Sequence, residues 1–392
     1  MKKFLIFIPF LLFAEILSPL QKTLLDKDLN KAIVSGDKLK NSWINPITLQ
    51  YKYNQSNQAF DNITKTNSFL ININQPIFKS GAIYSSIKYA KFLKEENIEK
   101  INLQKATLIK QAYEILFNIK KTEIAIKKQK LLIENAKIDI KRKKEQFLNG
   151  LTDSSFLDNA IINKNNLELA LNDLESQKQT LINNFKNLSD LSYKKVKLPK
   201  FSLISKTEYL KNLNIKIAKK DINVKKALKY MNIGNSLISV NFIANYNDIN
   251  NKYNNQTSIY KNNSDSFYNI GLSISVPLDI NVFKTIEESK IDYLKSISNY
   301  KNEVLKATNE YNSKIIEIQN INKKIAIYNH SIKLYNSLIK TTKDNIKAGI
   351  NTILDLENLE NSLKIAKLNV KNLEIEKNIK LLNIYYLTKG FK

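Results

Sequence analysis

Cysteine is absent from the 392 residues, and the chain has one histidine and two methionines. Without thiols there is no disulfide framework, no thiolate metal site and no acylated cysteine to make the N-terminus a lipoprotein. His330, Met1 and Met231 leave few soft ligands, which weighs against a metalloenzyme or a copper-handling site. His330 reads as a helix-surface residue. Arginine is nearly absent as well: Arg142 is the single one, so the formal charge of +26 is carried by lysine. Phosphate recognition favours the arginine fork. The charge therefore reads as lysines solvating long helix faces, and a nucleic-acid partner is not expected. Carboxylates are scattered, with no Ser/His/Asp, Cys/His or phosphate-loop set, so neither an enzymatic activity nor a cofactor is expected.

Long apolar runs are missing too. After Met1-Lys2-Lys3 an apolar stretch runs from Phe4 to Phe13 and closes on Ala14, with Glu15 next. Its charge, length and small-residue exit read as a secretory signal peptide over residues 1–14. No later stretch approaches the roughly 20 apolar residues of a membrane-spanning helix. An exported chain without such a helix can be periplasmic, secreted, or threaded through the outer membrane as β-strands.

Proline is sparse and grouped at Pro9, Pro19, Pro46, Pro76, Pro199 and Pro277, leaving residues 77–198 and 278–392 free of it. Long helices are allowed there. From Leu294 to Ile339 apolar or aromatic residues recur in thirteen steps over 45 residues, about 3.5 per step, which is coiled-coil spacing. The two stretches are copies of one another. Ser86-Ile87-Lys88-Tyr89-Ala90-Lys91 aligns with Thr285-Ile286-Glu287-Glu288-Ser289-Lys290, and Gly150-Leu151 with Gly349-Ile350, all at an offset of 199. Each copy predicts one helix of roughly 95 Å at 1.5 Å per residue. A glycine C-cap ends each, and a second helix restarts within about five residues. Ser155 with Asp158, and Thr352 with Asp355, have capping-box spacing at the restarts. The return helices are expected over 155–191 and 353–387, antiparallel to those they follow.

Ahead of each long helix the period changes to two. Ile47, Leu49, Tyr51 and Tyr53 alternate with polar residues, as do Ile238, Val240, Phe242, Ala244 and Tyr246. Their partners are Phe69-Ile71-Ile73 before Pro76 and Tyr268 to Val276 before Pro277. Asn-rich loops are expected near 55–66 and 247–265. Four strands of about ten residues suit an outer membrane, but two isolated hairpins would leave four open edges, which symmetric association would close.

Gln75-Pro76-Ile77-Phe78-Lys79-Ser80-Gly81 followed by Ile87-Lys88-Tyr89-Ala90-Lys91 resembles a family pattern in which a strand ending Pro-Leu-Phe-(Asp)-Gly-Gly passes into a helix with Ile-x-x-Ala. Gly349-Ile350-Asn351-Thr352-Ile353-Leu354-Asp355-Leu356 resembles its tip pattern, and Gly150-Leu151-Thr152 with Phe147 echoes that pattern in the first half. The resemblance, over nearly the whole chain, is to the TolC-like outer membrane efflux family. It implies a mainly α fold with a small β part: long antiparallel helical hairpins forming a periplasmic α-barrel, and four strands per protomer completing a trimeric twelve-stranded β-barrel in outer-membrane lipid. The implied division is a signal peptide (1–14), a first repeat (15–191: helix, two strands, long helix, return helix), a crossing (192–210) and a second repeat (211–392). The implied place is the outer membrane of a Gram-negative cell, with a long periplasmic extension. The implied function is the exit duct of a tripartite efflux or type I secretion system, docking with a periplasmic adaptor (membrane fusion protein) and an inner-membrane transporter. Gly150, Leu151, Thr152, Gly349, Ile350 and Asn351 would form the adaptor-facing tip, and Asp355 with Asn358 a periplasmic gate. Capping of its own helix is the competing role for Asp355. The departures are Leu278-Asp279-Ile280-Asn281 in place of a Gly-Gly-like strand exit, Ile346 where an aromatic is usual, and Asn358 where some relatives have a second aspartate. The alternative is a periplasmic coiled-coil adaptor or scaffold, which normally carries a single hairpin between β-rich domains. Drug, protein and metal cargo stay open.

Overall fold

The computed structural model describes residues 16–59, 62–254 and 260–389; the signal peptide expected over 1–14 lies outside them. The elements in chain order are α1 (Pro19–Lys40), β1 (Thr48–Ala59), β2 (Asn62–Phe78), α2 (Ala82–Leu148), α3 (Ser154–Lys186), a single turn α4 (Lys206–Tyr209), α5 (Leu213–Asn235), β3 (Ser239–Asn254), β4 (Tyr260–Ser275), α6 (Val282–Lys347) and α7 (Ile353–Lys389). Helix, two strands, long helix and return helix thus occur twice in a mainly helical chain. The long helices have 67 and 66 residues and the return helices 33 and 37. The first return helix stops at Lys186, short of the Leu191 expected. Beyond it the Ser189 hydroxyl accepts from the Leu191 N–H at 3.2 Å, a local side-chain bond that competes with the helical ladder.

The described chain falls into two compact units. The first comprises the chain up to Lys27, Ile101–Ile215 and Val304–Lys392. Its core takes Ala307, Tyr311, Ile318 and Ile321 from the 3.5-residue seam of α6. The segment between the repeats is packed into this core: Phe201 and Ile204 are buried. The Phe201 ring lies 6.4 Å from Phe117 and 5.2 Å from Tyr385. The Tyr311 hydroxyl donates to the Ile204 carbonyl at 2.8 Å.

The second unit, Asp28–Lys100 with Lys216–Glu303, holds the sheet. Here three expectations need correction. The two hairpins are not isolated: β2 pairs with β3, giving one antiparallel sheet in the order β1-β2-β3-β4 with two open edges instead of four. The strands have 12, 17, 16 and 16 residues, longer than the ten or so expected. The segments read as Asn-rich loops are largely strand, with Gln55 opposite Lys65 and Asn250 opposite Ser264. The reason is common to all three. An antiparallel ladder satisfies backbone N–H and C=O groups whatever the side chains are, so polar residues on both faces show only that both faces are wet. In the same unit α5 touches both long helices. Lys225 pairs with Asp292 of α6 at 2.9 Å, Lys220 with Glu95 of α2 at 3.0 Å. Gly234 approaches α2 so closely that a Cβ there would stand 2.6 Å from the Ala82 backbone nitrogen.

Candidate functional site: channel wall and hairpin tips

Because side chains alternate across a strand, the sheet register sorts its residues into two faces. One face carries the row Leu49, Ile71, Tyr246, Tyr268, then Ile73, Ala244, Ile270, then Gln75, Phe242, Leu272. Leu49, Tyr268, Ile270, Leu272 and Ile274 on it are exposed. The other face carries Thr48, Asn72, Asn245, Asn269 in one row and Asn74, Ile243, Gly271 in the next. Further rows are Gln50, Leu70, Asn247, Phe267 and Asn54, Thr66, Asn251, Asn263. Charge enters this amide-rich face at Lys52 on β1 and Asp265 on β4, within one row. A broad exposed apolar face beside two unpaired edges is a surface that association or lipid has to cover. Among the described residues no helix is long and apolar enough to cross a membrane.

The two long helices end alike. Leu151 N–H donates to the Gln146 carbonyl at 2.9 Å and Gly150 N–H to Phe147 at 3.0 Å; Ile350 N–H donates to Asn345 at 2.9 Å and Gly349 N–H to Ile346 at 3.1 Å. Both are Schellman closures. They need a left-handed residue, and Gly150 and Gly349 have φ of 68° and 73°. In such a closure the following apolar side chain usually packs back on the helix. Here the facing residues are the polar Gln146 and Asn345, and Leu151 and Ile350 stand 72% and 74% exposed. Phe147, Leu148, Phe156 and Ile353 are exposed around them. Thr152 is different, since its hydroxyl oxygen is buried without a hydrogen-bond partner.

At the second restart the expected capping box is present. The Asp355 carboxylate accepts from the Thr352 N–H at 2.9 Å, and Asp355 N–H donates to Thr352 Oγ1 at 3.3 Å. At the first restart it is not. Asp153, not Ser155, is the N-cap and accepts from the Ser155 N–H at 2.8 Å, because Asp153 sits two residues before Ser155 and reaches the free N–H groups first. Asp355 also pairs with Arg142 of α2. Hydrogen bonds from Thr352, helped by the Arg142 charge and the Asn351 side chain, hold its carboxyl below the usual range. Six residues on, the Asn361 amide donates to Asn135 Oδ1 at 2.9 Å. The second hairpin's return helix is therefore fastened to the first hairpin's long helix beside the turns. Asn358 is half-buried on α7 between these contacts. Sequence reasoning missed Arg142 and Asp153. Being the single arginine was a usable signal for the first; Asp153 was overlooked in favour of the Ser155–Asp158 spacing. His330 lies exposed on α6, and the described residues hold no cluster of three or more His, Cys, Asp or Glu able to bind a metal.

A duplicated long hairpin with half of an amphipathic sheet in each copy has a match among known families. Residues 214–388 match the model of the outer membrane efflux protein family. The fold extends the likeness to the first repeat. The VceC outer membrane protein of Vibrio cholerae superposes with a TM-score of 0.70 at 12% identity, over 94% of this chain and 93% of that one. The CmeC outer membrane channel of Campylobacter jejuni gives 0.70 at 15% identity, over 93% and 83%. The MtrE outer membrane channel of Neisseria gonorrhoeae, in its open state, gives 0.63 at 16%, over 97% and 93%. No curated protein matches in sequence. The fold is that of the TolC-like channels, and the outer membrane efflux family is one of ducts, not of enzymes.

Proposed function

We propose that this chain is an outer membrane efflux protein that works as a homotrimeric exit duct in the outer membrane of a Gram-negative cell. One observation carries the reading: a four-stranded sheet with an exposed apolar face and two unpaired edges, β1 and β4. Closing β4 of one copy on β1 of the next removes both edges. Two copies would bring eight strands, a number whose interior is filled by side chains. Three bring twelve, with the apolar face toward lipid and the amide-rich face toward water.

In this reading the chain divides into a signal peptide (1–14), two repeats (15–191 and 211–392) and the crossing between them (192–210). The Schellman turns, with Leu151 and Ile350 exposed, form the surface that docks a periplasmic adaptor, beyond which an inner-membrane transporter supplies the energy. Asp355, repeated three times around the axis, lines the periplasmic entrance, with Asn358 one turn further along the same face. The experiment is fractionation with gel migration. The chain should be extracted only with the outer membrane and run unheated as a slow band of trimer mass that boiling converts to the protomer. Recovery in the soluble periplasm would refute the duct and revive the coiled-coil scaffold.

A further inference from the structure

The first turns of α2 and the facing part of α5 enclose a cavity of about 490 Å³. It lies at the helix end of the sheet: Ser80, part of its wall, donates through Oγ to the Ile238 carbonyl at 2.8 Å, one residue ahead of β3. Its deeper wall includes the buried Ser85 and Ala227 and the half-buried Phe92. Its rim carries two tyrosines and two lysines, Tyr84 and Lys88 from α2 and Lys226 and Tyr230 from α5, all exposed.

Among the described residues no carboxylate lines this cavity. The acids nearby are taken by other lysines: Glu95 pairs with Lys220 at 3.0 Å, Glu96 with Lys100 at 2.6 Å, Glu99 with Lys216 at 2.7 Å and Asp292 with Lys225 at 2.9 Å. Asp221, the single acid of α5, lies toward Glu96 and Lys225. Lys88 and Lys226 therefore face the cavity with their charge uncompensated. The two rings beside them are held by cations as well, Tyr84 with Lys88 Nζ 4.4 Å from its centroid and Tyr230 with Lys229 Nζ at 4.5 Å. The second repeat has no such arrangement. At the offset of 199 the counterparts of Tyr84, Lys88 and Phe92 are Phe283, Glu287 and Ile291, and Glu287 pairs with Lys284 at 3.8 Å. Solvation of a long helix thus does not call for lysine at this position.

We propose that this cavity binds an amphipathic anion, its carboxylate, sulfonate or phosphate between Lys88 and Lys226 and its apolar body against Tyr84, Tyr230 and Phe92. The volume is in the range of pockets that hold drug-sized ligands, and an aromatic wall with a few placed charges is how such pockets fix orientation. Lysine is a compact point charge without the planar fork of arginine, so the site selects negative charge over any one head-group geometry. Soluble anions and anionic lipids share this chemistry. The site needs only α2 and α5 of one chain, so it goes beyond the duct reading and does not depend on it.

The test titrates the full chain, held in phosphatidylcholine discs, with the fluorescent anion anilinonaphthalene sulfonate, with empty discs as the blank. One saturable site per chain is expected. Lys88→Gln/Lys226→Gln should weaken it about 30-fold, the effect of two charges near 4 Å in water, and Lys88→Arg/Lys226→Arg should bind as the parent does. Lys91→Gln/Lys219→Gln removes the same charge from the same helices at exposed positions outside the cavity, and should leave the affinity close to the parent's. Equal loss in both Gln variants, or no saturable binding, would overturn the site. If the first double variant melts early, Lys88→Gln and Lys226→Gln decide singly, each at about fivefold. Displacement of the probe by phosphatidylglycerol in the disc bilayer assigns the site to a lipid, and displacement by soluble octyl phosphate alone assigns it to a solute. Displacement by neither would overturn the proposal. A chain of monomeric mass that still shows the site would refute the duct and leave this inference standing.

Discussion

The fastening of Asp355 to Arg142 changes what this carboxylate should do at the proposed duct entrance, because its charge is neutralised within its own chain. Two substitutions with similar effects on stability should then have opposite effects on conduction. Asp355→Asn keeps an acceptor for the Thr352 N–H but removes the charge. The loss is the helix-dipole contribution of about 0.3–1 kcal/mol plus the ion pair. That pair joins side chains 34% and 32% exposed, so it is worth no more than about 1 kcal/mol. Arg142→Gln loses the pair alone. Each shift in Tm should stay within a few degrees, at about 2–4 °C per kcal/mol for large domains. Conduction separates them. Removing a positive charge about 4 Å from a bound cation changes its energy by about 1 kcal/mol per unit charge in water. That is about 2 kcal/mol for a divalent ion, or roughly 30-fold in blocking affinity. In planar-bilayer recordings Arg142→Gln should therefore strengthen divalent block, and Asp355→Asn should weaken it and alter cation preference. Unchanged block and selectivity in both, with a clear loss of thermal stability in Asp355→Asn, would leave Asp355 as a helix cap only.

Other outcomes follow from the same geometry. Leu151→Gln and Ile350→Gln, at exposed positions, should leave the melting of the trimer unchanged and abolish crosslinking to the adaptor; intact export and crosslinking would refute the tip assignment. Gly349→Ala should cost about 1–2 kcal/mol, measured by thermal melting, through left-handed strain alone, since an added Cβ meets nothing within 4 Å. Gly234→Val should destabilise more strongly, or prevent assembly, because its side chain would overlap the Ala82 backbone. The lowered carboxyl of Asp355 contributes stability above its unfolded pKa, lost as pH falls through the folded one. Melting should therefore drop more on acidification in the parent than in Asp355→Asn.

The helical part of this fold was legible because two kinds of signal coincide: proline-free stretches bounded by Gly150 and Gly349, and a duplication without gaps between its anchors. The strands were legible in type but not in extent. Alternation marks a strand only where one face is apolar, and between Gln55 and Thr66 or Asn247 and Asp265 both faces are polar while the ladder continues. The β2–β3 pairing could not be read from the sequence, since the two strands are separated by more than 160 residues and no turn chemistry links them. Of the candidate site, the Thr352–Asp355 box and both glycine turns followed from local spacing. The Arg142–Asp355 pair did not, because it joins positions 213 apart.

The most direct test of the duct is the mass of the chain extracted from outer membranes in detergent, by sedimentation with the detergent contribution subtracted. A trimer is the expected result. A monomer that keeps its secondary structure would contradict it, because such a sheet would then be stable with β1 and β4 unpaired.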